Sequence, residues 1–404
     1  PLDFDTYWHL YVAEVLRQQR KWLFGPVRAA IFPPQVEGKY GTFLWNRLVG
    51  STLRTRKTLL ARHHLVNPVV EFTGVLGALS LLLLADVSPV VVLFTALLYV
   101  ATPAWFTTRL IAPRNYNATP RLASEVSANL FFLMLFLSLP YPEVFTSLAV
   151  LTGCYLVLSS KFGVQALALI GPLSAVFAWS VRPILAVLGS FLLALLLGRT
   201  SFLKHLRSQF AHLKAYRLRS KTGEMPVARR YGFRWISEAR HDSESLLGVC
   251  ARIVVRAPYK NSVGFVIIYM PVLLVFLANE LLVLLQFRES SDLANLMLPP
   301  VLAGFVVFAL TSRRGLLFLG EPERYLNYVA ILLCASVASS IASSGDLLLL
   351  IVLVLYGLLS GIGEGIELRR SPSHELRVAR EETHTEIISL LRSIASPQSI
   401  VCIP

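Results

Sequence analysis

Long apolar runs are the feature that most limits what this chain can fold into. Residues 263–285 read "VGFVIIYMPVLLVFLANELLVLL" and residues 347–362 read "LLLLIVLVLYGLLSGI". A helix needs about 20 consecutive apolar residues to cross a bilayer. Hydrophobic residues make up 55% of the 404 residues, far above the average for soluble proteins. The sequence therefore predicts an all-α, polytopic membrane protein with interfacial amphipathic helices.

The hydropathy pattern predicts about ten transmembrane helices. Residues 1–66 are expected to be a loop with amphipathic helices, and 67–198 the first half of the bundle. A basic amphipathic loop, 199–261, separates this half from the second, 262–363. Residues 364–404 then begin a soluble segment. The predicted spans lie at about 68–85, 88–106, 125–140, 143–158, 163–179, 183–198, 262–286, 293–311, 325–342 and 346–363.

The two ends of the sequence are those expected of a fragment. The chain begins with Pro1 rather than Met and ends in the apolar run "SIVCIP". A membrane helix or signal anchor is therefore expected before Pro1.

One stretch of the basic loop predicts a helix that lies along the membrane surface. In "SFLKHLRSQFAHLKAYRLRSK", residues 201–221, apolar side chains recur at helical spacing and Lys or Arg covers most of the rest. Such a helix is typical of a lipid-surface anchor, and a direct role in binding a phosphate is the alternative. The apolar stripe consists of Leu203, Leu206, Phe210 and Leu213.

The charge distribution bears on partners and topology. The net charge is +14, which favours contact with anionic lipid headgroups, and no motif for nucleic acid accompanies it. Four well-separated cysteines predict neither a zinc site nor a disulfide framework. Nearly all Lys and Arg fall on one predicted side, side X, which the positive-inside rule places in the cytoplasm. Side X comprises 1–66, 107–124, 159–162, 199–261, 312–324 and 364–404.

The first candidate for chemistry is the pair Asp5 and His9 in "LDFDTYWHLYVAEVLRQQR". Positions i and i+4 place both side chains on the apolar face of one helix, where burial of a polar group is costly. The pair could hold a divalent cation or act as a base with its orienting partner. The alternative is that Asp5 caps the helix and His9 packs at an interface.

The second candidate is "FLGEPERYLNY", residues 318–328. Arg324 can bind a phosphate with two parallel hydrogen bonds, and Tyr325 can orient it. Glu321 and Glu323 are the supporting acidic residues, and interfacial anchoring is the alternative interpretation.

Other charged residues lie at or within the predicted spans. Arg121 and Lys161 are cations at side X boundaries, while Glu71 and Glu280 lie inside spans, where carboxylates are costly and often functional. Glu364 is a weaker candidate of the same kind. No nucleotide-binding or hydrolase motif is present.

These motifs resemble the C-class (GT-C) glycosyltransferases, membrane enzymes that use polyprenyl-phosphate-linked sugars. "DTYWH" is similar to the start of their first large extracytoplasmic loop, "GEPERYLNYV" to a motif near a late span, and the tail at 383–404 to the start of their soluble domain. The resemblance implies catalysis by Asp5 with His9 and Asp3. It also implies that Arg324, Tyr325, Arg121 and Lys161 bind the donor phosphate.

The resemblance leaves two questions open. The chain lacks a second acidic motif of the kind that holds the metal in the oligosaccharyltransferase subunit, so a divalent cation is neither implied nor excluded. The family places side X outside the cell, against the charge rule.

The resemblance further implies a multi-pass protein of the bacterial cytoplasmic membrane that assembles or modifies envelope glycans. Its partners would be a lipid-linked sugar donor, a glycan or protein acceptor, and anionic lipid headgroups, with no nucleic acid. One alternative is a transporter or flippase of a lipid-linked or anionic glycan, with Glu71 and Glu280 carrying protons. Another is a non-catalytic scaffold of an envelope-assembly complex.

Overall fold

Every regular element that the structure describes is a helix. The computed structural model describes residues 13, 44–53, 55–105, 119–222, 261–287, 289–313 and 315–370. The predicted all-α class is therefore confirmed for these residues. Asp3, Asp5 and His9 lie outside them.

Thirteen α-helices are described in these ranges, and they are numbered here in chain order. Two short 3-10 turns, Pro103–Trp105 and Leu317–Leu319, accompany them. The helices are α1 Leu44–Thr52, α2 Arg56–Leu84, α3 Pro89–Ala101, α4 Pro120–Phe136, α5 Pro142–Ser159, α6 Lys161–Phe177, α7 Arg182–Thr222, α8 Ser262–Tyr269, α9 Pro271–Leu284, α10 Asp292–Thr311, α11 Arg324–Asn327, α12 Ala330–Ser344 and α13 Leu347–Arg370.

Four of the described helices contain segments long and apolar enough to cross a membrane. These segments are His64–Leu84, Pro142–Ser159, Arg182–Leu218 and Asp292–Thr311. A fifth span results if the bent pair α8 and α9 counts as one. Shorter apolar helices lie at Pro89–Ala101, Lys161–Phe177, Ala330–Ser344 and Leu347–Gly363. The described part of the chain is thus that of a helical membrane-embedded protein, and four or five of its segments are suited to spanning by length and composition.

The predicted span at 262–286 is broken in the structure. Its two halves, α8 and α9, meet at an angle of 88° around Met270. Pro271 has no N–H to continue the first helix, and it opens the second one instead. The Tyr356 hydroxyl of α13 donates a hydrogen bond of 2.6 Å to the Ile268 carbonyl in the last turn of α8. A carbonyl group beside the break is therefore hydrogen-bonded to a neighbouring helix.

The bundle is organised around buried helices. Residues 330–341 of α12 are all buried, and α12 packs against α3, α9 and α10. Helix α4 is buried along most of its length and packs against α2 and α5. Outer helices expose large apolar side chains such as Val69, Leu188 and Leu192. This arrangement suits lipid, which solvates apolar side chains as well as a protein interior does.

A kink at Arg199 divides α7 into the apolar segment 182–198 and the predicted basic helix. In that second part Leu203 and Phe210 are exposed, whereas His205, Ser208 and Gln209 are buried. Two residues of the apolar stripe therefore face outward, whereas Leu206 packs against the core on the same side as these polar residues. This half of α7 packs against the turn Leu317–Leu319.

Candidate buried arginine site

The candidate site lies at one end of the bundle. Helices α4 and α6 begin at this end, and the connection from α10 to α12 crosses it. Parts of four predicted side X loops meet here, since Arg121, Phe162, Arg217 and Glu321 come from different loops. The turns that follow α2, α4, α6, α9 and α12 lie at the opposite end.

The segment from Leu317 to Val329 positions the central residues of the site. Gly320 has φ of 111°, a left-handed conformation that favours glycine. After it, successive hydrogen bonds tighten the chain: the N–H of Arg324 donates to the Glu321 carbonyl, and the N–H of Tyr325 to the Pro322 carbonyl. The short helix α11 follows, with all four of its residues buried.

Two guanidinium groups share one carboxylate in what is here called the arginine cluster: Arg121, Glu321 and Arg324. Arg324 Nη2 lies 3.0 Å from Glu321 Oε2, and Arg121 Nη2 lies 3.7 Å from the same oxygen. Arg324 is only 4% exposed, and its Nε is buried without a hydrogen-bond partner. The cluster therefore contains two positive charges, one negative charge and one unused N–H donor.

The guanidinium of Arg324 also stacks on an aromatic ring. Its Cζ lies 3.8 Å from the centre of the Phe162 ring, a close cation–π contact. Helices α5 and α6 are joined by Ser160 alone, whose hydroxyl caps α6 and so places Phe162 in the first turn. A Cβ on Gly320 would lie 2.7 Å from the Phe162 Cε1 atom. Glycine at 320 thus allows the segment to approach this ring.

A second set of polar side chains, here called the carboxyl network, lies beside the cluster: Glu125, Asn129 and Asn327. The Asn327 amide donates to Glu125 Oε2 at 3.3 Å, while Glu125 Oε1 is buried without a hydrogen-bond partner. Asn129 donates to the Asn327 carbonyl at 2.9 Å and accepts from the Ile331 N–H at 2.8 Å. The network therefore ties α4 to α11 and to the start of α12.

Tyr325 points toward α6 rather than toward the guanidinium groups. Its hydroxyl lies 3.3 Å from Gln165 Oε1 and 3.2 Å from the Leu319 carbonyl, and it donates to these acceptors. Burial raises the pKa of the Tyr325 phenol above its ordinary value, so the hydroxyl keeps its proton. Its observed role is to fix the segment 319–325.

The structure brings together two of the four predicted phosphate-binding residues directly, through the ion pairs of Arg121 and Arg324 with Glu321. Lys161 precedes Phe162 in the first turn of α6, at the same end of the bundle. Glu323 is buried in the same segment. Glu71 and Glu280 lie in α2 and α9, and Glu280 Oε1 is buried without a hydrogen-bond partner.

The sequence reasoning missed Glu125, Asn129, Asn327 and Phe162. A signal existed for two of them, since Arg121, Glu125 and Asn129 recur at i, i+4 and i+8 and so share one helix face. Asn327 and Phe162 carry no such signal.

The chemistry of the site suits an anion better than a metal ion. Among the described residues, no three His, Cys, Asp or Glu side chains are grouped so that they could hold a metal. Buried guanidinium groups are the usual protein partners of phosphate. A phosphate could take the place of the shared carboxylate between Arg121 and Arg324.

The fold and site define a class: a helical membrane protein with a buried arginine cluster at one end of its bundle. The chain matches no family model, no curated protein and no solved structure.

Proposed function

We propose that the chain is a membrane glycosyltransferase of the GT-C type, which uses a polyprenyl-phosphate-linked sugar for envelope glycan assembly or modification. One observation carries this proposal: two largely buried guanidinium groups at one end of an apolar bundle share a single carboxylate. A lipid-linked phosphate needs cationic donors at the membrane boundary and apolar surface beside them, and this end of the molecule supplies both.

The proposed reaction assigns a role to each predicted site residue. Asp5 accepts the proton of the acceptor hydroxyl, whose oxygen attacks the anomeric carbon of the sugar, and the polyprenyl phosphate leaves. His9 orients Asp5, and Asp3 is the third catalytic residue of the proposal. Arg324 and Arg121 bind the phosphate, Lys161 contributes from the same end, and Tyr325 fixes the segment that bears Arg324. Negative charge grows on the phosphate as it leaves, so fixed donors lower the barrier.

Two further features belong to the proposal. The shorter apolar helices α3, α6, α12 and α13 also cross the membrane in this proposal, and so does α4, which together with the longer helices brings the spans to about ten. The membrane is the bacterial cytoplasmic membrane, and the acceptor is a glycan or a protein.

Substitution of Arg324 tests the function. Arg324→Lys keeps the charge but loses the planar pair of donors, and Arg324→Ala loses both. Either variant should weaken binding of a polyprenyl-phosphate sugar by about 1.5–3 kcal/mol, the range for hydrogen bonds to charged groups. Binding and sugar transfer would be measured with purified protein in liposomes.

A matched control lies at the other end of the bundle. Arg182 donates to Thr146 Oγ1 at 2.7 Å, so Arg182→Lys removes a bonded guanidinium far from the cluster. This control should bind the donor like the parent protein. Unchanged donor binding in both Arg324 variants would restrict Arg324 to a structural role and remove the support for the proposal.

The second candidate, a transporter or flippase, is favoured by a different observation. The broken span α8–α9 bends by 88°, and Glu280 on α9 has a buried Oε1 without a hydrogen-bond partner. Broken helices and intramembrane carboxylates are typical of transporter binding sites. Movement of a lipid-linked glycan across liposomes without sugar transfer would favour this candidate.

A further inference from the structure

The carboxyl group of Glu125 has an unusual position for an acid. Glu125 is 4% exposed, lies one helical turn after Arg121, and has one oxygen bonded to Asn327 and the other without a hydrogen-bond partner. An ionised carboxylate buried in this way is costly unless its charge is compensated. Arg121 is the nearby cation, but it is also paired with Glu321.

The protonation of Glu125 decides the charge that a ligand would meet. Arg121 and Arg324 contribute two positive charges, and Glu321 contributes one negative charge. An ionised Glu125 therefore makes these four groups neutral together, whereas a protonated Glu125 leaves one net positive charge. Glu71 on α2 also acts electrostatically on Glu125, and Tyr328 is a further titratable neighbour.

We propose that Glu125 takes up a proton when the arginine cluster binds a phosphate anion, so that anion binding at this site is coupled to pH. The proposal rests on the proposed function, which places the donor phosphate at Arg121 and Arg324. A phosphate bound beside Arg121 offsets the attraction between that cation and an ionised Glu125. The phosphate also repels the ionised carboxylate, and both effects favour the neutral carboxyl. The neutral form also gains an O–H that can donate to a phosphate oxygen.

The sign of the pH dependence follows from linkage. The complex binds more protons than the free protein between the pKa of Glu125 in the free protein and its higher pKa in the complex, so affinity falls as pH rises through that range. Below it, where Glu125 is already protonated, binding takes up no proton and affinity is independent of pH. One coupled proton changes affinity by at most about tenfold per pH unit.

The test uses a phosphodiester probe, farnesyl methyl phosphate, with the full chain in detergent. A diester stays monoanionic from about pH 5 to about pH 9, so any proton taken up belongs to the protein. Calorimetric titrations in two buffers with different ionisation enthalpies give the number of protons bound per anion. Glu125→Gln is the key variant, because it keeps the shape and remains neutral at every pH.

The parent protein should take up as much as about one proton per bound anion and should bind more weakly at alkaline pH. Glu125→Gln should bind without proton uptake and should keep its acid-range affinity throughout. Glu71→Gln should retain the coupling of the parent, so this variant excludes Glu71 as the proton acceptor and can overturn the inference even if Glu125→Gln does not fold.

Three results would overturn the inference. The first is that the parent protein binds the probe without proton uptake at any pH tested. The second is that Glu125→Gln shows the same pH dependence of affinity as the parent. The third is that Glu71→Gln loses the coupling. Each of them leaves the proposed function standing. Absence of probe binding by the folded parent at every pH would instead refute the phosphate site, and the inference with it.

Discussion

At the scale of single residues, Glu321 determines how two buried cations coexist. Its Oε2 oxygen lies 3.0 Å from Arg324 and 3.7 Å from Arg121. Buried like charges repel strongly in a medium of low dielectric constant, so the carboxylate holds the cluster together. The same carboxylate competes with any phosphate for these guanidinium groups.

Glu321→Gln should therefore destabilise the free protein and make it more responsive to anions. Loss of one partner of a buried ion pair costs about 3–5 kcal/mol, so the thermal unfolding midpoint should fall. Added farnesyl methyl phosphate should raise that midpoint more in the variant than in the parent, because the anion replaces the lost charge. Unfolding can be followed by tryptophan fluorescence in detergent.

The matched control for this experiment is Glu143→Gln. Glu143 is an exposed carboxylate in the first turn of α5, at the opposite end of the bundle. The Glu143→Gln substitution should leave the thermal unfolding midpoint almost unchanged. Equal midpoints for Glu321→Gln and the parent would contradict a compensating role for Glu321.

At the scale of elements, Asn129 joins helices that are distant in sequence. Its side-chain amide binds the Asn327 carbonyl and its side-chain oxygen binds the Ile331 N–H. Both backbone groups lie where α11 ends and α12 begins, so they have incomplete bonding within their own helices. The position of the segment bearing Glu321 and Arg324 relative to α4 therefore depends on this contact.

Asn129→Ala should leave two buried backbone groups unsatisfied. Each unsatisfied group costs about 1–3 kcal/mol, so unfolding in a denaturant titration should shift to lower denaturant concentration. Donor binding should weaken as well, because the segment bearing Arg324 loses its tie to the helix bearing Arg121. Thr73→Ala is the control, since the exposed Thr73 hydroxyl bonds only carbonyls of its own helix. If Asn129→Ala unfolds and binds the donor like the parent protein, packing alone positions the segment that bears Arg324.

At the scale of the whole molecule, the turns that follow α2, α4, α6 and α9 lie at the end opposite the arginine cluster. Asp86, Tyr141, Trp179 and Gln286 have positive φ at these turns. Trp179 and Tyr141 are 96% and 75% exposed. Aromatic side chains at such positions are typical of membrane–water interfaces.

Cysteine labelling tests this arrangement and the orientation together. With the native cysteines replaced, Gly38→Cys should react with an impermeant maleimide in intact cells if the GT-C proposal is right. Trp179→Cys and Gln286→Cys should react only after permeabilisation. The reverse pattern would place side X in the cytoplasm, as the positive-inside rule predicts, and would count against the proposed enzyme. The prediction of about ten spans places residues 179 and 286 on the same side of the membrane. A difference in accessibility between these two residues would contradict that prediction.

Much of the element pattern could be predicted from the sequence, because it depends on local chemistry. The predicted spans at 143–158 and 293–311 correspond to α5 and α10, and Pro142 marks where α5 begins. Apolar runs specify helices in lipid, and proline suits the first turn of a helix. Arg324 and Arg121 were predicted from boundary position and side-chain chemistry, but their functional role stays a prediction.

The sequence by itself determined that the described residues form helices and that several of these helices are apolar enough for a membrane, because hydrophobic periodicity is a local property. Only the tertiary structure decided that Glu125 bonds to Asn327, 202 positions away, and that Arg121 and Arg324 share Glu321. It also decided the 88° break between α8 and α9. These contacts depend on how each helix is rotated and packed against its neighbours, and on whether a nearby side chain such as Tyr356 can bond the backbone at a break. No single helix encodes that geometry alone.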